Sequence, residues 1–181
     1  KVSEQVSSII RKYSQSVEQA SIDEFYFDLS PQKTFKKAED ICKKIKTEIG
    51  ETEKVTCSVG IAPNKLVAKI AAGIKKPDGL VVIQEKDVQD FLHPLNVREL
   101  PGIGPKTAEF LYKKNINIIG DLLKFSQQEL KEMMGKHGES IYDKARGIDN
   151  SPISEFREAK SIGAQTTFAK NTLDPTIIYT I

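Results

Sequence analysis

Asp23 and Glu24 are adjacent carboxylates set inside the apolar run Ala20-Ser-Ile-Asp-Glu-Phe-Tyr-Phe-Asp-Leu29. Side chains on a strand alternate with period 2, so Ala20 and Ile22 define one face and Phe25, Phe27 and Leu29 the other parity. The phase flips between Ile22 and Phe25. Two strands joined by a tight turn produce such a flip, and both acids would then project into the same space at the bend. Carboxylates gathered there suggest a hard metal ion. A two-residue hairpin turn normally takes Asn-Gly or Asp-Gly to reach positive φ without strain, so Glu24 is a poor choice for shape alone and points to a functional constraint. The alternative, two solvated acids capping a surface hairpin, stays open at this point.

A second group of residues suits phosphate chemistry. Val97-Arg-Glu-Leu-Pro-Gly-Ile-Gly-Pro-Lys-Thr-Ala108 carries the pattern of a helix-hairpin-helix: Leu100, Gly102, an apolar residue, Gly104, and Ala108 four residues later. The glycines permit a tight turn and close backbone approach, Pro105 suits the first position of a helix, and the free N–H groups there would point outward at a phosphate. Lys106 and Thr107 can add side-chain donors. Contacts of this kind read the backbone and not base edges, so binding would be independent of sequence and sensitive to salt. An ordinary connector that uses glycine for its turn is the competing explanation.

The elements that position these groups follow from periodicity. Val2, Val6, Ile9, Ile10 and Tyr13 give a helical stripe, followed by a hairpin over residues 17–29 and an amphipathic helix over about 34–49. A strand from Lys54 to Ile61, a lysine-bearing helix from Asn64 to about Ile74, the turn Lys76-Pro-Asp-Gly79 and a short strand Leu80–Ile83 come next. This segregation predicts an α+β domain, one antiparallel sheet with helices on one face. Strand signals then disappear for about seventy residues, a stretch punctuated by Pro94, Gly102, Gly104, Gly120, Gly135, Gly138 and Gly147 that reads as a small all-α domain. Ser151 to Glu158 reads as a linker, and Lys160 to Phe168 as a new strand. Asp174 and Pro175 mark a helix start.

Composition sets outer bounds. With 181 residues the chain suffices for one domain or two small ones, and 39% hydrophobic content is enough for real cores. No apolar run approaches the roughly 18 residues of a membrane span, and the opening Lys-Val-Ser-Glu-Gln has neither an initiator Met nor a signal-peptide core, so the start reads as truncated; the other end does too, because the helix begun at Asp174 and Pro175 stops after about two turns. Cys42 shares an apolar helical stripe with Phe35, Ala38, Ile41, Ile45 and Ile49, and Cys57 a strand face with Val55, Val59 and Ile61. Both read as core thiols in a reducing cytoplasm. His93 and His137 lack any ligand spacing, which argues against zinc. The net charge of +2 decides nothing about nucleic acid. Its distribution is more telling, because Lys65, Lys69, Lys75 and Lys76 occur with no acid between Ile61 and Pro77, a block that favours a polyanion or else forms a solvated basic face.

Ser21-Ile-Asp-Glu24, the stretch Asn64-Lys-Leu-Val-Ala-Lys-Ile-Ala-Ala72 through Lys75-Lys-Pro-Asp-Gly79, and Leu100-Pro-Gly-Ile-Gly104 occur in this order, and together they closely resemble Y-family DNA polymerases of the DNA polymerase IV type. The likeness runs essentially end to end. It implies a palm for residues 1–84, a helix-hairpin-helix thumb for 85–151, a linker over 152–159 and the start of a little-finger domain at 160–181. It further implies that Asp23 and Glu24 help hold two Mg²⁺ ions, that Lys76 contacts the nucleotide triphosphate, and that Gly102 and Gly104, with Lys106 and Thr107, grip the DNA backbone. Primer-template DNA and a dNTP would be the partners of a monomeric cytoplasmic enzyme, with a sliding clamp left open. In the family the remaining metal-binding acid and the fingers precede the segment matched here, so the chain alone is expected not to polymerise. Phe25 and Phe27 stand where the family often has smaller or aliphatic residues, which bears on local packing. The competing function is a non-catalytic DNA-binding module.

Overall fold

The computed structural model of the protein describes residues 1–155, 163, 167–168 and 170–178. The first helix, α1 (Val2–Arg11), turns Ile9 and Ile10 inward. Strands β1 (Val17–Gln19) and β2 (Phe25–Phe27) pair antiparallel in the register Val17↔Phe27, Glu18↔Tyr26 and Gln19↔Phe25. Helix α2 (Phe35–Glu53) starts where the Thr34 side chain accepts from Lys37 N–H, and it buries Ala38, Cys42, Ile45 and Ile49 at the spacing of one helical face. Ile9, Ile10, Val17, Ile45 and Ile49 form one apolar cluster, against which Phe25 and Phe27 pack. The two phenylalanines are thus accommodated as core-facing residues of a hairpin.

Strand β3 (Val59–Ile61), helix α3 (Lys65–Ile74) and strand β4 (Leu80–Val82) form a second unit. The α+β class holds, but among the described residues the expected single antiparallel sheet resolves into two two-stranded sheets, and β3 and β4 run parallel. The reason is the connection: α3 is a crossover helix, and a strand that returns through a helix lies parallel to its predecessor. Gly60 allows α3 to lie directly on β3, because a Cβ there would stand 2.0 Å from the Ala68 carbonyl oxygen. The strand expected from Lys54 is confined to Val59–Ile61, since Lys54 takes a left-handed conformation that closes α2.

The helical part comprises α4 (Val88–Leu92), α5 (Pro105–Tyr112), α6 (Ile119–Leu122), α7 (Gln127–Met134) and α8 (Lys136–Ala145). Leu92, Leu100, Leu111, Ile119, Leu122, Leu130 and Ile141 are essentially fully buried, each contributing about 1.5–3 kcal/mol of transfer free energy. This core is continuous with Leu66, Val67, Ile70 and Ala71 of α3, so that helix joins the two parts. The junction is polar as well: Asn64 Nδ2 donates to the Gly147 carbonyl at 2.7 Å, and Asp149 Oδ2 accepts from Leu66 N–H at 3.0 Å. At the far end, α9 (Pro175–Ile178) begins as expected, with Asp174 Oδ1 accepting from Thr176 N–H at 2.9 Å. The strand expected over residues 160–168 lies largely outside the described residues. Among the described residues no helix is long and apolar enough to cross a membrane.

Candidate functional site

The β1–β2 hairpin has two chemically different faces. Val17, Phe25 and Phe27 meet the α1–α2 core, while Glu18 and Tyr26 stand opposite each other on the other face, with Glu24 in the same alternation. That second face meets α3. Lys65 Nζ donates to Glu18 Oε2 at 2.6 Å and lies 5.0 Å from the Tyr26 ring centroid, and Lys69 Nζ donates to both Glu24 oxygens at 2.8 and 2.7 Å. Lysines at i and i+4 are neighbours on a helix and meet acids spread along the hairpin. Both lysines of this half of the basic block are thus committed to acids of the hairpin, Lys65 in a largely buried pair and Lys69 in an exposed one.

Asp23 and Glu24 do not form the expected two-residue turn. The connection runs from Ala20 to Glu24 and closes through Ala20 N–H to the Glu24 carbonyl at 2.9 Å. Ser21 organises it: its Oγ donates to Asp23 Oδ1 at 2.6 Å and accepts from Glu24 N–H at 3.1 Å. Neither acid has a positive φ, so the strain anticipated for Glu24 is absent and the longer loop is what removes it. Both carboxylates are exposed.

They open onto a cleft of about 1110 Å³ lined also by Lys69, Lys76 and Asp78. The structure thus brings Asp23, Glu24 and Lys76 to one cavity. Hydrogen bonding to Glu24 raises the Lys69 pKa, and burial pushes the Tyr26 phenol upward. Lys76 is exposed on the turn after α3. Among the described residues no group of three or more His, Cys, Asp or Glu side chains is placed to hold a metal ion. Cys42 is buried and desolvation pushes its thiol up to about 12.

The glycine motif lies elsewhere, on the helical part. Leu100 and Ile103 are buried and anchor the turn. Gly102 has φ +106, a conformation that L side chains rarely adopt, and Lys144 Nζ donates to the Pro101 carbonyl beside it at 3.0 Å. Gly104 differs: it has φ −81 and ψ 176, and a Cβ there would meet nothing within 4 Å. Nothing inside the protein requires glycine at that position. Pro105 occupies the first turn of α5 as expected, Lys106 is exposed and Thr107 half-buried, and no side chain caps this helix start, whereas Thr34, Asn64 and Ser126 cap α2, α3 and α7. Its N–H groups remain available to an outside acceptor.

An α+β part with paired acids at a cleft, followed by a helical part with an open glycine turn, is a composite architecture, and comparison with known proteins assigns it. Residues 1–73 match the impB/mucB/samB family, and residues 98–149 match the thumb domain of DNA polymerase iota. DNA polymerase IV 2 of Methanosarcina mazei is 43% identical over 96% of this chain and 47% of its own length. DNA polymerase IV of Methanoculleus marisnigri is 40% identical over 98% of this chain and 49% of its own. The crystal structure of DinB from Sulfolobus solfataricus superposes with a TM-score of 0.79 at 37% identity, covering 85% of this chain and 46% of that one. Over almost its whole length the chain is thus similar to Y-family DNA polymerases of the DNA polymerase IV type. It spans about half the length of the curated relatives it matches.

Proposed function

We propose that the chain is the palm and thumb portion of a template-directed translesion DNA polymerase that adds dNTPs to a primer 3′ end. Residues 1–84 would form the palm, 85–151 the thumb, 152–159 the linker and 160–181 the start of the little finger. One observation carries this reading: Asp23 and Glu24 are presented side by side on the rim of a cleft that also receives Lys76.

The donor set fits a hard cation in kind. Asp23 and Glu24 offer only carboxylate oxygens, which suit Mg²⁺, and the Lys69 ammonium against both oxygens of Glu24 marks this as a place that collects positive charge. Two carboxylates do not make a complete cage, and in this proposal a further acid completes it. When bound, paired Mg²⁺ ions supply charge neutralisation and activation of the primer hydroxyl. The residues of this chain hold and orient. Ser21 fixes the Asp23 carboxylate beside Glu24, and Lys76 meets the incoming triphosphate as a point charge. The uncapped start of α5, with Gly104, Lys106 and Thr107, takes the DNA backbone, and Gly102 shapes the turn. Primer-template DNA and dNTP are the partners in this scheme, and the enzyme acts as a cytoplasmic monomer.

Asp23→Asn in the full-length polymerase tests it. Primer extension with Mg²⁺ should fall to background while DNA affinity stays within about twofold, because phosphate contacts on the thumb supply most of the binding. Wild-type extension rates in that variant would instead favour a non-catalytic DNA-binding module.

A further inference from the structure

The turn that carries Lys76 is held by a group outside the cleft chemistry. Lys46 projects from α2 between the buried residues Cys42, Ile45 and Ile49, and its side chain keeps only 15% of its exposure. Its ammonium donates to Asp78 Oδ1 at 2.5 Å, to the Asp78 carbonyl at 3.1 Å and to the Cys57 carbonyl. An ammonium has three N–H donors, so these acceptors saturate it. Lys46 has no donor left for a ligand.

Asp78 needs such a partner. It has φ +56, an uphill conformation for a residue with a Cβ. Lys46 grips both its side chain and its backbone. The next residue is tied down too, since Gly79 N–H donates to Ser58 Oγ at 3.2 Å and the Gly79 carbonyl accepts from Val59 N–H at 3.0 Å. One end of the Lys76-Pro-Asp-Gly79 turn is thereby fastened to α2 and β3, while Lys76 stands exposed at the other. A flexible lysine chain gains affinity for a ligand when the backbone that carries it is fixed beforehand.

We propose that Lys46 is a positioning residue: with Asp78 it clamps the turn so that the Lys76 ammonium is held at the cleft for the nucleotide triphosphate. This rests on the reading of Lys76 as a triphosphate contact. Lys46 acts through the turn and does not touch the nucleotide.

The test is steady-state primer extension by the full-length polymerase carrying K46M, K46R, D78N, K76A and the double variant K46M/K76A, with melting temperatures in parallel. K46M should raise the KM for dNTP by about tenfold with kcat nearly unchanged, the scale of a misplaced binding group. K46R should recover much of the loss, and D78N, which keeps the backbone carbonyl, should show a smaller rise. In the K76A background K46M should raise KM no further, although it lowers the melting temperature as much as in wild type. If K76A raises KM but K46M and D78N do not, or if K46M and K76A add independently, the clamp is wrong while the role of Lys76 stands. If K76A leaves KM unchanged, the role of Lys76 fails and the clamp with it.

Discussion

Lys65 and Lys69 sit one turn apart on α3, each against a glutamate of the same hairpin, yet their replacement by Met should have very different costs. Lys65 and Glu18 retain 18% and 17% of their side-chain exposure, and Glu18 Oε2 also accepts from Ser154 N–H at 2.9 Å. K65M leaves a nearly buried carboxylate without its ammonium. Breaking a fully buried pair from one side costs about 3–5 kcal/mol; with a sixth of the surface still wet and Ser154 still donating, about 2 kcal/mol is expected. For a chain of this size that lowers the melting temperature by about 4–8 °C. Lys69 and Glu24 retain 40% and 46%, so their pair is screened and K69M should cost about 1 kcal/mol at most, or under about 4 °C. Thermal melts at low and high salt read both: salt should shrink the K69M effect and leave that of K65M largely intact. The double variant E18Q/K65M should recover part of the K65M loss, because the group that has lost the Lys65 ammonium is then neutral. Equal costs for K65M and K69M, or a K65M midpoint unmoved from wild type, would refute the argument from burial.

Gly104→Val should leave the fold nearly intact, because φ there is ordinary and the space around it open, yet weaken DNA binding by a similar factor for every sequence tested; a loss that depended on sequence would contradict backbone recognition. Gly102→Val, forced into φ +106, should instead cost stability of about 1–3 kcal/mol, seen in urea titrations before any DNA is added. Asp121 provides a pH test. Lys124 hydrogen-bonded at its carboxylate, followed by the Asn117 and Ile118 N–H groups, lowers its pKa from 3.8 to about 2. A depressed carboxyl stabilises the fold above its unfolded pKa and loses that contribution as pH falls through the folded value. Asp121→Asn should therefore melt below wild type at neutral pH, with the difference closing between about pH 4 and pH 2. A gap that stays constant over that range would show that charge is not involved.

Local rules gave the helices reliably and the sheet poorly. Ala38, Cys42, Ile45 and Ile49 recur at helical spacing, and Thr34 and Asn64 are cap residues, so α2 and α3 were legible with their starts. The parallel pairing of β3 with β4 was not, although its ingredients were present: a strand, a helix and a strand in sequence with Gly60 opposite Ala68. Alternation says which side chains share a face but not which strand lies beside which. Topology comes from the connection, and α3 makes this one a crossover. In the helical part the Gly102–Pro105 turn was legible because φ +106 and a helix-starting proline leave marks in residue type.

For the cleft, Asp23, Glu24 and Lys76 could be named from the sequence, but the cations and anions that hold them could not. The lysines of α3 looked like an unopposed basic block because no acid lies near them in sequence; their partners, Glu18 and Glu24, belong to a hairpin more than forty residues earlier. Charge patterning along a chain detects only partners within a few residues, whereas a tertiary ion pair is chosen by which faces pack. Lys46 on α2 and Lys76 on the turn after α3 differ in what they have left to offer. Lys46 has its three donors filled by Asp78 and Cys57 and can only support, while Lys76, on the turn that Lys46 holds, is exposed and can bind. Residue type is identical in both cases, so the count of satisfied donors, which only the folded arrangement supplies, decides which lysine has donors left to offer a ligand.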